Sequence, residues 1–396
     1  MRLRRCTFVF LEPREEAVFD LASLLAGGNG LRRTRRWLAL APHLDGEVEI
    51  DEAGRELLGR IGPGEWVECE GLEPACGPAV QRLLEQGLLI CDDDRFMHHA
   101  GRDAALRDTY WWAPAALMHR FGRWQGMDSV AAMEANGLTT ARELCEKLGS
   151  PPPEVSARVP AQQRLALARV PEDEFDRLLG RRATCRNFDI GRALPLPLLA
   201  QLLQRVFAAQ ATVAVQDDAV FLKKNAPSGG GLHATEAYLL VRDVEGLAPG
   251  LYHYHPVDHA LEPLPPPDEP LEVFARRALA GQHWFAAAPV QVVLAPRYAR
   301  SFWKYRNHPK AYRALILDAG HLSQLLYTCA TEMGLGAFVT SAINEVDIER
   351  AYGMDPLHEG PLAVCGFGWR ADTMQTTEFD PAAKVWVADG QEDGAA

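Results

Sequence analysis

The stretch Lys224-Asn225-Ala226-Pro227-Ser228-Gly229-Gly230-Gly231-Leu232-His233 is the part of this chain best suited to holding a flat ligand. Three consecutive glycines carry no Cβ, so the backbone can lie close against a planar ring and take up positive φ. Pro227 stiffens the approach, and Ser228 adds a short donor and acceptor. The apolar run 237–241 follows at once and reads as a buried strand, which sets the turn beside a core. Neither G-x-G-x-x-G nor G-x-x-x-x-G-K-[ST] fits, so no nucleotide-binding fingerprint is present. A second cluster, Arg181-Arg182-Ala183-Thr184-Cys185-Arg186, gathers guanidiniums around a hydroxyl. Guanidiniums are always charged and suit a phosphate through their bidentate fork. Cys185 stands among them, where the arginines favour its thiolate. His253, His255 and His259 have no evident acidic or cysteine partner, so no metal site is expected. His321 falls inside an apolar helix and reads as a hydrogen-bonded core histidine.

These pieces stand in a fixed order with Lys304-Tyr305, Asp318-Ala319-Gly320-His321, Gly334-Leu335-Gly336 and Gly366-Phe367-Gly368. Over residues 176–372 that order resembles the nitroreductase-like flavoproteins, and within them the SagB-type dehydrogenases that modify ribosomally made peptides. The resemblance implies an α+β fold, with a mixed sheet surrounded by helices, built as a homodimer around FMN. Arg182, Thr184 and Arg186 match the family's R-x-S-x-R loop, with threonine in the serine place, and are implied to hold the phosphate and ribityl chain. Ala183 gives up a side-chain contact there. Pro227, Ser228, Gly229 and Gly230 match the P-S-x-G segment along the isoalloxazine edge. Gly334, Leu335 and Gly336 match the second flavin-facing loop, and Arg370 sits where many relatives carry a basic phosphate ligand. Glu236 also has a counterpart, whose role could equally be a structural ion pair.

Lys304 and Tyr305 match the K-Y pair of the azoline oxidases, one implied as the proton-abstracting base and the other as its partner. The implied activity is FMN-dependent oxidation of thiazoline or oxazoline to thiazole or oxazole, with dioxygen as electron acceptor. A precursor peptide and a cyclodehydratase are the implied partners. Two alternatives stand beside it: an NAD(P)H-dependent reductase of a nitro compound, quinone or dehydroamino acid, and a non-catalytic scaffold for a peptide-modifying partner.

The elements that must position these residues follow from composition and periodicity. A net charge of −12 argues against a nucleic-acid partner, whose phosphates want a basic face. No signal-peptide pattern and no run of about 18 apolar residues appears, so the cytoplasm is the expected compartment and no membrane is involved. Three parts are expected: residues 1–95 winged-helix-like, 96–175 a helical connector, and 176–396 the catalytic domain. The first part reads as a strand at 6–10, a helix at 14–25 and a basic cluster at Arg32, Arg33, Arg35 and Arg36. A strand at 47–50, a helix to residue 60 capped by Asp51, a strand at 66–67, a helix at 79–86 and a strand ending at 91 follow. Such a module either grips a leader peptide through an edge strand or serves dimerisation or structure alone. The prolines at 151–153 form a stiff linker. Later come a helix at 194–209, strands near 237–242, 252–254, 290–295 and 361–366, and a helix at 313–333 that is apolar nearly all round. That last helix belongs in a core or a subunit interface, with Gly334 as its cap. Residues 391–396 are expected to fray.

Overall fold

The computed structural model describes residues 1–386, so the expected fraying at 391–396 lies outside the described residues. The chain divides into two compact units. The first contains Met1–Arg123 together with Tyr298–Arg313 and Asp355–Glu359. Trp124–Arg297, Ala314–Met354 and the chain from Gly360 onward make up the second.

In the first unit, strand Arg2–Arg5 lies between Val67–Glu68 and Leu89–Cys91 in an antiparallel sheet. Helices Glu52–Arg60 and Gly77–Glu85 bury Leu57, Leu58, Leu83 and Leu84 with Leu3 and Ile90. Asp51 caps the first of them by accepting from the Gly54 N–H at 2.8 Å. The helix expected at 14–25 is instead a ten-residue strand, Phe10–Phe19, followed by the short helix Leu21–Leu25. Its charges find partners across a hairpin rather than one helical turn away. Strand Leu31–Leu40 brings Arg35 to Glu15 at 2.6 Å and Arg36 to Glu49 at 3.1 Å as well as to Glu16. Pro13 is tolerated because this is an edge strand. The basic cluster is therefore largely an ion-pair ladder, with Arg32 also 3.9 Å from Asp20. The strand expected at 6–10 forms earlier, as Arg2–Arg5.

A six-stranded sheet forms the second unit, in the order Ala260–Pro263, Gly250–His255, Thr235–Val241, Val290–Pro296, Ala363–Gly368, Gly336–Thr340. Among the described residues every one of these pairings is antiparallel, and parallel pairing is confined to the isolated bridges Thr184–Ala337 and Leu194–Val244. Strand alternation decides which side chains meet which helices. Leu239, Val241, Val292 and Leu294 pack with Leu199, Leu202, Leu203, Leu322 and Leu326 from helices Leu196–Val206 and Ala311–Glu332. Leu240, Val293 and Val364 face the other way, toward Phe274, Phe285 and Ile348. Helix Ala311–Glu332 is apolar but not buried all round: Ile316 and Leu317 are 48% and 58% exposed. No helix among the described residues is long and apolar enough to cross a membrane.

Candidate functional site

Helix Ala311–Glu332 carries the two side chains that tie the glycine turn and the arginine loop in place. Asp318 is buried, and its carboxylate accepts from the Ser228 hydroxyl at 2.5 Å and the Gly229 N–H at 2.9 Å. Ser228 Oγ in turn accepts from the His233 N–H at 2.9 Å. Gly229 lies so close to the helix that a Cβ there would stand 2.9 Å from the Ala314 Cβ. Gly230 and Gly231 take φ of +68° and +71°, which L side chains rarely adopt. The turn is thus flat, small and pinned from behind. His321 is not the core histidine expected: it is exposed, with Nδ1 3.2 Å from the Pro227 carbonyl.

Nine residues further along the helix, about 14 Å of rise, Tyr327 does the same for the arginine loop. Its hydroxyl is 3.0 Å from Thr184 Oγ1 and accepts from the Val339 N–H at 3.1 Å, while the Arg182 guanidinium lies 5.4 Å from its ring centroid. The Cys185 N–H donates to the Ala337 carbonyl at 2.8 Å, so the loop is docked along strand Gly336–Thr340. Gly336 is dictated by that approach, because a Cβ would stand 2.5 Å from Cys185 Sγ. Burial pushes the Cys185 thiol up to about 12, outweighing the nearby Arg370, so the thiolate expected there is disfavoured. Gly334 ends the helix with φ +73°, and Leu335 is buried behind it.

The arginines differ in what they already hold. Among the described residues no carboxylate lies within 4.0 Å of Arg182 or Arg186, although Arg186 Nη1 donates to the Thr377 carbonyl at 3.2 Å. Arg370 pairs instead with the buried Glu378 and lies 3.5 Å from the Ala183 carbonyl. Glu378 also accepts from the N–H groups of Arg186 and Asn187, from Asn187 Nδ2 and from Trp386 Nε1. Burial alone would raise its pKa; these donors and Arg370 bring it below the usual carboxylate value. Asp318, Tyr327 and Glu378 carried no assigned role in the sequence. Of the three only Asp318 was singled out there, as the first residue of Asp318-Ala319-Gly320-His321.

Glu236 has ion-pair partners, with Oε1 2.7 Å from Arg297 Nε and Oε2 3.6 Å from His253 Nε2. His253 also meets Glu262 at 2.6 Å, so the histidine has the acidic partners its sequence neighbourhood hides. Lys304 and Tyr305 belong to the first unit, in a turn after the short helix Tyr298–Phe302. They are on neither strand nor helix. The Lys304 ammonium lies 5.6 Å from the Tyr305 ring centroid, close enough for the cation to act on the phenol.

The second unit therefore offers a cradle with two chemically distinct ends on one helix. At one end, guanidiniums with no carboxylate partner among the described residues and a hydroxyl suit a phosphate; at the other, a glycine turn suits the face or edge of a planar ring. That donor set fits FMN. Residues 179–369 match the nitroreductase family. A protein of Methanocaldococcus jannaschii that carries the nitroreductase name is 34% identical over 152 residues, 38% of this chain and 71% of its own length. The trifolitoxin-processing protein TfxB of Rhizobium leguminosarum bv. trifolii is 28% identical over 179 residues; the match takes in 43% of this chain and 46% of that relative. A chain of the E. coli microcin synthetase McbBCD complex, solved with truncated pro-MccB17 bound, overlaps 68% of this chain and 94% of its own. Its identity is 20% and its TM-score 0.48, an overlap too loose to carry residues across.

Proposed function

Because this chain belongs to the nitroreductase family, we propose that it is an FMN-dependent dehydrogenase of a ribosomally made peptide, oxidising a thiazoline or oxazoline to the aromatic azole. The observation that carries the cofactor is the two-ended cradle on helix Ala311–Glu332, with Asp318 behind the glycine turn and Tyr327 behind the arginine loop. Arg182, Thr184 and Arg186 would take the phosphate end. Residues 227–230 would wall the ring from one side and residues 334–336 from the other, with Ala183 contributing backbone only. Arg370, whose charge Glu378 already meets, would order the loop from below. When bound, FMN would accept a hydride at N5 and return the electron pair to dioxygen.

The chain's own contribution to chemistry is a proton acceptor. The azoline Cα–H is acidified by the adjacent imine and carbonyl, so a modest base suffices. Lys304 or Tyr305 would take that proton, and the other would hold the base in position. Closing the new double bond then expels the hydride, so the ring loses one proton and one hydride in all. A peptide substrate is supported by the trifolitoxin-processing relative, less than half of whose length this chain spans. A precursor peptide, a partner cyclodehydratase and recruitment through residues 1–95 complete the proposal, with the cytoplasm as its compartment. Homodimer formation is supported by the exposed stripe Arg313, Ile316, Leu317, Gly320, His321 and Gln324, which recurs at helical spacing.

The test is direct. The purified protein should be yellow, release about one FMN per chain, and remove two hydrogens from an azoline peptide with uptake of dioxygen. A protein that reduces a nitro compound with NAD(P)H and leaves azolines untouched would move the reductase reading ahead, which the Methanocaldococcus relative favours.

A further inference from the structure

Two residues with left-handed backbone face each other at the turn that bears Lys304 and Tyr305. Tyr110 has φ +59° and Asn307 φ +48°. Asparagine tolerates that region, whereas a bulky aromatic residue rarely enters it unless its surroundings impose it. Here the surroundings are visible. The Asn307 N–H donates to the Tyr110 carbonyl at 2.9 Å, and the Arg306 guanidinium lies 4.3 Å from the centroid of the Tyr110 ring. The turn is otherwise closed on itself: the Tyr305 N–H donates to the Ser301 carbonyl at 3.3 Å, and the Tyr305 carbonyl accepts from the His308 N–H at 3.2 Å.

The residue after Tyr110 anchors what lies beneath. Trp111 is fully buried, donates from Nε1 to the Leu357 carbonyl at 3.0 Å, and packs against Tyr298 and Phe302 with centroids 4.6 and 4.8 Å away. Those two residues belong to the helix that leads into the turn. On its far side, Tyr312 meets His119 Nδ1 at 3.1 Å, while His119 Nε2 donates to the Pro356 carbonyl at 3.1 Å. All of these residues belong to the first unit.

We infer that Tyr110 is a positioning residue for the Lys304–Tyr305 turn, so that the first unit supplies geometry to the reaction as well as any grip on the peptide. The inference rests on the proposed roles of Lys304 and Tyr305. Its mechanism is restraint: the Tyr110 carbonyl and ring hold residues 306 and 307, which fixes the direction of the two side chains just before them. A misplacement of about 1 Å in a reacting group can cost ~100-fold in rate.

Tyr110→Leu removes the ring from beneath Arg306, and Tyr110→Phe keeps it. Tyr110 is partly exposed, and Arg306→Gln removes the same contact from an exposed residue, so a folding defect at position 110 cannot imitate the result. Tyr110→Leu and Arg306→Gln should each lower kcat on an azoline peptide about 10- to 100-fold, with KM and FMN content unchanged. Amide hydrogen exchange at residues 303–310 should speed up in both, and Tyr110→Phe should match wild type in both measurements. If Tyr110→Leu turns over at the wild-type rate while Lys304→Ala is slow, the positioning role is wrong and the dehydrogenase reading stands. If Lys304→Ala and Tyr305→Phe are themselves at wild-type rate, the dehydrogenase reading fails and the inference falls with it.

Discussion

The Arg370 guanidinium closes on the Glu378 carboxylate, whose side chain is fully buried. A buried carboxylate with this many donors is held as part of the structure, and it leaves Arg370 with less charge to offer an anion than Arg182 has. Arg370→Ala should therefore act mainly on stability, by about 3 kcal/mol, since it strands a buried charge. Arg182→Ala and Arg186→Ala should act mainly on FMN retention, and more than Arg192→Ala, whose guanidinium lies over the Trp369 ring. Thermal unfolding and released flavin, measured on the same samples, separate the two effects. An Arg370→Ala protein of wild-type stability that sheds its FMN would reassign Arg370 to the phosphate.

Asp318 offers a cleaner test of the glycine turn. Asp318→Ala removes the acceptor from both the Ser228 hydroxyl and the Gly229 N–H. Charge-assisted hydrogen bonds contribute about 1.5–3 kcal/mol each, so both the stability of the second unit and its hold on FMN should drop. Asp318→Asn keeps one acceptor oxygen and should fall between. Unchanged FMN affinity in Asp318→Ala would show that the turn does not face the flavin.

What the sequence reveals of this site divides by range. Asp51 is legible as a cap because its partner, Gly54, is three residues away. Gly334 is legible because helix ends have a local chemistry. The helix expected at 14–25 fails for the opposite reason: the partner that decides the matter for Glu15, Arg35, is twenty residues on. The bonds that Asp318 makes, and Tyr327 altogether, were hidden in the same way. Their partners Ser228 and Thr184 stand 90 and 143 residues away, and only the folded chain brings them to one helix. The loops themselves stood out by their order along the chain, since a tight glycine turn or a basic turn is common taken singly.

His119 gives the first unit a predictable weakness to acid. Burial, helped by Arg123 and Arg120, pushes its pKa from 6.5 down to about 3. The folded state then refuses a proton that the unfolded chain accepts. Its contribution to stability is complete above pH 6.5 and is lost as pH falls toward 3, with a slope of up to about 1.4 kcal/mol per pH unit. Urea midpoints taken from pH 7 to pH 4.5 should fall for wild type. His119→Phe should be less stable at pH 7 and show a flatter fall. Parallel curves for the two proteins would exclude His119 as the source.

The exposed face of helix Ala311–Glu332 predicts the oligomeric state. Ile316 and Leu317 are 48% and 58% exposed on one face of a helix whose other side is buried, an arrangement that a second copy would cover. Light scattering should give a dimer for wild type. Leu317→Asp should shift it to monomer, because a charge buried in an apolar interface is costly. A wild-type monomer that binds FMN normally would remove the dimer from the proposal.

Lys304 and Tyr305 carry the sharpest prediction. If one of them takes the azoline proton, replacing it should lower kcat about 10²- to 10⁴-fold, the usual contribution of a general base. Flavin content should stay near wild type, because neither residue is part of the cradle, and substrate KM should change little, because the penalty falls on the transition state. The partner residue should cost less. The double variant should lose less than the product of the single penalties, since the ammonium lies 5.6 Å from the phenol ring and the two act together. Lys304→Arg should fail if lysine is the base, because a guanidinium does not give up its proton. Tyr305→Phe keeps the ring under the ammonium and removes only the hydroxyl, so it asks whether tyrosine oxygen is the base without disturbing packing. A slow Tyr305→Phe beside a competent Lys304→Arg assigns the proton to tyrosine, and the reverse pattern assigns it to lysine. Should Lys304→Ala and Tyr305→Phe both oxidise an azoline peptide at the wild-type rate, proton abstraction by this pair is wrong, and nitro or quinone reduction with NAD(P)H becomes the activity to assay.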